Sequence, residues 1–113
     1  MLALIVFVVL VALAGAALAV RELRGHHVPL AVGVWHGIAA VTAIVLLLIH
    51  DVREPHNLLV NSATVILILT ATGGLLLFMF RAMKQALPVF VVLLHAGFAL
   101  AAILLLCIGY IKG

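Results

Sequence analysis

Two histidines, His36 and His95, each stand seven residues after a proline, Pro29 and Pro88, inside otherwise aliphatic stretches. A neutral imidazole offers one lone pair that can ligate a metal and one N–H that can be donated. Ionisable groups at bilayer depth are costly, and they face a bundle interior for a purpose. Two imidazoles at one depth therefore point to a bound group between them. Zinc takes four ligands, and copper sites add Cys, Met or a third His. No carboxylate lies near this depth, and Cys107 and Met79 lie elsewhere along their helices. An iron porphyrin needs only two axial imidazoles, because its own nitrogens fill the other four positions. The competing reading is structural: each histidine hydrogen-bonds across helices and locks their packing.

The elements that must position these residues follow from composition. The chain has 113 residues, is 69% hydrophobic and 8% charged, and has a mean hydropathy of +1.53. A soluble domain of this size must cover itself with polar side chains, and this chain cannot. Four apolar runs, about 2–20, 30–50, 58–80 and 88–111, match the bilayer thickness at about 1.5 Å per helical residue. The short connections "RELRGHHVP", "DVREPHN" and "RAMKQALP" hold nearly all the charge. The expectation is an all-α, polytopic membrane protein, a four-transmembrane-helix bundle forming one membrane domain over 1–113. The first run ends in small residues like a signal peptide, but it lacks a basic leader and is long enough to span, so it reads as a retained helix. The single cysteine, Cys107, excludes a disulfide framework and a CxxCH haem attachment.

Arg21, Arg24, Arg81 and Lys84 lie in or beside the first and third loops, against Arg53 and Lys112 at the other end. That bias places loops 1 and 3 in the cytoplasm and both termini outside, as in a bacterial inner or plasma membrane. The formal charge of +3 is this basic edge. It implies a lipid partner and no nucleic acid.

A shift of 59 positions overlays the halves, about 1–54 on 60–113, with about 14 of 54 positions identical. Pro29 meets Pro88, His36 meets His95, and Gly15 meets Gly74. Each half holds two helices, so the halves are parallel repeats about an axis along the membrane normal. Both histidines then lie roughly 10 Å along their helices, at one depth. Gly15 and Gly74 fall at about that level, where a missing side chain leaves a notch for a flat group or another backbone. Gly73 widens one notch, and Gly37 and Gly97 are expected to act similarly beside the histidines. The propionates of a porphyrin would need cations at a membrane edge, and Arg21, Arg24, Arg81 and Lys84 lie on the appropriate side, where they also serve as positive anchors.

His50 lies 14 residues beyond His36, within about 40° of the same helix face and some 21 Å away. An H-x13-H helix with facing glycines resembles the four-helix core of respiratory b-type cytochromes, and the resemblance covers all four helices. It rests on His36, His50, His95, Gly15 and Gly74. In that family two haems stack across the membrane between two histidine pairs. The resemblance implies that His36 and His95 are axial ligands of one b haem, and that His50 ligates a second. The repeat mate of His50 is Gly109, followed by Tyr110, so the second haem would need an imidazole from His56, another protomer or another subunit. Otherwise His50 simply ends a helix beside Asp51.

The cluster His50, Asp51 and Arg53 has groups that could donate to a quinone, or it is a solvated turn. His26 and His27 read as interfacial, Met79 and Met83 as packing, and Trp35 as facing either the cofactor or lipid. Thr70 and Thr72 can bond back to their own helix. No nucleophile–base pair or carboxylate dyad appears. The function expected is one-electron transfer by a small b-type cytochrome, an electron-transfer component of a larger redox complex or a homodimer rather than a stand-alone enzyme. The alternative is a cofactor-free accessory subunit of a membrane complex. Transport like that of small multidrug transporters is disfavoured, because residues 2–20 contain no acidic side chain.

Overall fold

The computed structural model describes residues 1–113 as four helices: α1 (Leu2–Leu23), α2 (Leu30–Arg53), α3 (Leu58–Ala82) and α4 (Val89–Lys112). There is no strand. Each helix runs past its apolar stretch into charged residues, since Arg, Glu and Lys are good helix formers whose stems can lie along apolar surface while their heads reach water. Pro88 caps α4 rather than joining it, as Pro29 caps α2. All four helices are long and apolar enough to cross a membrane, with mean hydropathies between 2.2 and 3.0. The bundle is 43 Å long, close to the roughly 40–45 Å of a bilayer with its headgroups. Large apolar side chains are exposed around its outside, the surface expected of a body immersed in lipid.

The loops joining α1 to α2 and α3 to α4 are built alike. Gly25 has φ +82° and Lys84 has φ +57°, at equivalent repeat positions. His26 N–H donates to Arg21 O and Gly25 N–H to Glu22 O; Gln85 N–H donates to Phe80 O and Lys84 N–H to Arg81 O. These are Schellman ends, which satisfy the last helical carbonyls by a left-handed residue. Glycine fits that conformation freely, whereas lysine is strained in it.

The helices form a ring in which each touches two neighbours: α1 packs on α2 and α4, and α3 on α2 and α4. The diagonal pairs α1/α3 and α2/α4 do not pack together. The half of the bundle at the chain termini and the α2–α3 loop is solid. Ile5, Val8, Ala43, Leu47, Val60, Ala63, Ala102 and Leu106 form its core, the last five with Leu47 leading being fully buried. Repeat-equivalent residues of α2 and α4 both enter this core, Ala43 and Ala102, and Leu47 and Leu106. Asn57 ties this end together. Its side chain accepts from Val60 N–H as the α3 cap and donates to Gly109 O at 3.0 Å. The other half of the bundle is hollow.

Candidate functional site

The hollow is a cavity of about 580 Å³ reaching from mid-bundle toward the α1–α2 and α3–α4 loops. That volume lies in the range of small-molecule sites, about 300–1,000 Å³. Its floor is shared with the packed core through Val8 and Ala43. Its wall is mostly apolar and is built largely from repeat-equivalent residues: Ala12 with Ala71, Leu18 with Leu77, Ala40 with Ala99, and Ile44 with Ile103. His36 from α2 and His95 from α4 both line it. They come from diagonal helices whose backbones stay apart, and the cavity lies between them.

The glycines take a different part from the one expected. A Cβ on Gly15 would lie 2.8 Å from His36 Cε1 and 3.0 Å from Nε2; one on Gly74 would lie 2.9 Å from His95 Cε1. The notches on α1 and α3 therefore receive the imidazole rings themselves. Gly73 borders His95 more loosely, with 3.8 Å to Nδ1. Gly37 and Gly97 contact nothing and face outward: Gly37 follows His36 by one residue, about 100° around the helix, and Gly97 follows His95 by two, about 200° around.

The two rings differ in their partners. His95 Nδ1 lies 2.8 Å from the Thr70 carbonyl, whose own hydroxyl bonds back to Ile66 O. A carbonyl can only accept, so Nδ1 carries the proton and Nε2 keeps the lone pair. His36 Nδ1 is buried without a hydrogen-bond partner. Such an orphan is costly.

At the mouth, Arg81 forms a salt bridge with Glu22 and its Nη1 lies 3.3 Å from His27 Nδ1. Arg81 is thus the one of the four expected propionate partners that reaches the cavity. Arg21, Arg24 and Lys84 are exposed and do not line it, and Lys84 is instead the left-handed residue that ends α3. Glu22 and the Thr70 carbonyl were not marked by their residue types. Glu22 was nevertheless readable as the repeat mate of Arg81, a carboxylate matched to a guanidinium at the 59-residue shift.

His50 ends α2 with its Nδ1 3.6 Å from Asp51 Oδ1, outside the cavity. Between its level and the cavity the axis is filled by Leu47, Leu106 and Val60. Its repeat mate Gly109 is pressed on α3, where a Cβ would meet Val60 Cγ2 at 2.9 Å and Leu59 Cβ at 3.1 Å. His50, Asp51 and Arg53 also stand outside the shallow polar hollow at that end, which Glu54, His56, Asn57 and Lys112 help to line. Trp35 is 70% exposed and faces the lipid side, as do Met79 and Met83. No group of three or more His, Cys, Asp or Glu side chains gathers to hold a metal ion by protein ligands alone.

Comparison of the chain with protein-family models, curated proteins and solved structures finds no significant match. The likeness to b-type cytochromes therefore stands on the residues described above and on no relative.

Proposed function

We propose that this chain is a small membrane b-type cytochrome that holds one haem b between His36 and His95. The observation that carries this reading is the pair of repeat-equivalent imidazoles on opposite walls of one apolar cavity. Three further features fit the group. The Thr70 carbonyl fixes the His95 proton on Nδ1, the outer hydrogen bond that usually orients a ligating histidine and leaves Nε2 free. His36 Nδ1 lacks a partner, so that ring gains from any rotation that a ligand at Nε2 imposes. Arg81 stands at the mouth, where a carboxylate-bearing edge would emerge.

Bound there, the iron would exchange single electrons at a potential set by bis-imidazole ligation and apolar walls. The protein's part is to hold both lone pairs at one depth, exclude water with aliphatic side chains, and anchor the polar edge. With loops 1 and 3 on the cytoplasmic face of a bacterial inner membrane, the cavity opens toward that face. Donor and acceptor then come from other membrane subunits, a second copy or a quinone, with His50, Asp51 and Arg53 at the far end as the candidate quinone contacts.

The test is the visible spectrum of the detergent-purified protein, before and after dithionite. Sharp Soret, α and β bands on reduction are expected, and His36→Ala and His95→Ala should each abolish them. A flat spectrum from folded protein refutes the reading. A cofactor-free accessory subunit is the second reading, and one observation favours it: each imidazole already fills a glycine notch, and His95 already bonds across to α3. On that reading both alanine variants are colourless like the parent.

A further inference from the structure

Glu22 and Arg81 belong to helices that do not pack against each other, yet their side chains meet across the mouth of the cavity. They are the only Asp, Glu, Lys or Arg residues in its wall. Both are largely withdrawn from water, with 13% of the Glu22 side chain and 21% of Arg81 exposed. Glu22 Oε1 also accepts from Val28 N–H at 3.2 Å, which holds the carboxylate in place. They occupy equivalent positions in the two repeats, so this is where the two halves of the wall differ in the sign of their charge.

A guanidinium offers a fork that fits a carboxylate, and Glu22 already sits on it. Arg81's remaining contact is Nη1 to His27 at 3.3 Å, a long bond to an exposed side chain on the first loop. We propose that Glu22 is a specificity-determining residue, a resident carboxylate that competes with the ligand's own for Arg81. This rests on reading the cavity as a ligand site. The mouth then accepts one carboxylate on the Arg81 side, in exchange for Glu22 or His27, and repels a second on the Glu22 side. A ligand with two like ends is thereby given one orientation by charge. Removing either partner leaves the other's charge uncompensated in a poorly hydrated place, so the two removals act in opposite directions.

The experiment titrates the apoprotein, residues 1–113, in maltoside micelles, with haemin and with haemin dimethyl ester, whose carboxylates are blocked. The quantity read is the ratio of the two dissociation constants. In the parent, where the pair is neutral, the ratio should lie near one. Glu22→Gln should move it roughly tenfold toward the acid, and Arg81→Gln roughly tenfold toward the ester. The exchange variant E22R/R81E keeps the pair and should return the parent ratio, which also checks that the bundle tolerates changes here. Ratios that move in the same direction in both single variants, or do not move, overturn the proposal.

A second measurement needs no porphyrin. The Nε–Hε signal of Arg81 is followed by NMR as dodecanoate, or dodecanol as the neutral control, is added to the micelles. It should shift with dodecanoate alone, at a roughly tenfold lower concentration in Glu22→Gln. If neither porphyrin binds while this response appears, the haem reading falls and the role of Glu22 stands. If both porphyrins bind with an unchanged ratio, the role of Glu22 falls and the haem reading stands. Equal dodecanoate responses in the parent and Glu22→Gln overturn the proposal directly.

Discussion

Gly74→Ala separates the stability of the bundle from the placement of its histidine. The new methyl would sit 2.9 Å from His95 Cε1, against an ordinary carbon contact of about 3.5–4.0 Å, so the ring must retreat by about 0.7 Å. It has somewhere to go, because His95 borders the cavity. The retreat sacrifices the Nδ1–Thr70 bond, a loss of about 0.5–1.5 kcal/mol. Against this, alanine is favoured over glycine inside a helix by about 1 kcal/mol. The two effects nearly cancel, and the variant should unfold within about 1 kcal/mol of the parent. Haem affinity should nevertheless fall about 10–100-fold, as when an outer partner of a ligating histidine is lost. The assay is reversible SDS unfolding in mixed micelles followed by circular dichroism, with a haemin titration on the same preparation and the His95 ring proton observed by NMR. Destabilisation beyond about 3 kcal/mol, the upper end for overpacking, would mean that the ring is wedged and the cavity cannot receive it. An unchanged ring proton with unchanged haem affinity would equally refute the reasoning.

Other substitutions test neighbouring parts of the argument. Gly15→Ala breaks no hydrogen bond of His36, so it should stabilise the fold by up to about 1 kcal/mol in the same unfolding assay, while weakening haem binding. Gly109→Ala meets Val60 Cγ2, Leu59 Cβ and Asn57 Oδ1 on α3 and its cap, and should destabilise by about 1–3 kcal/mol. Lys84→Gly relieves a left-handed lysine and should stabilise by about 1 kcal/mol, with haem affinity unchanged because Lys84 does not line the cavity. Leu47→Ala and Leu106→Ala should cost similar amounts, about 2 kcal/mol each. That is the low end for such truncations, since lipid is as apolar as the core and mainly packing is lost.

Much of this was legible because the physics was local or periodic. Apolar runs long enough to span gave the four helices, and the shifted Pro, His and Gly residues placed His36 and His95 at one level. The contents of the glycine notches were not legible, because a missing side chain shows that something approaches without showing what. The outward direction of Gly37 and Gly97 could have been worked out from the helical angle alone. His50 shares a face with His36 by periodicity, yet periodicity cannot tell that leucines from two helices close the axis between them. Lys84 looked like an anchoring cation. Only its repeat mate, Gly25, hinted that the position serves a left-handed turn. The Glu22–Arg81 pair escaped a comparison based on identity because opposite charges score as a mismatch, although they attract across a shared axis.

The solid half of the bundle has an electrical consequence. A dry, packed plug on the terminal side and a hollow on the loop side mean that the paired imidazoles lie nearer one face, about a quarter of the way along a 24-residue helix. A transmembrane voltage acts on a moved unit charge with about 2.3 kcal/mol per 100 mV over the full thickness. On the proposed haem reading, an electron exchanged with the imidazole level from the loop side works against only about a quarter of that, roughly 0.6 kcal/mol per 100 mV. One arriving through the plug would bear the remainder. The bundle is in this sense an uneven voltage divider: on that reading, traffic confined to its hollow end crosses about a quarter of the membrane potential, and traffic through the plug about three quarters.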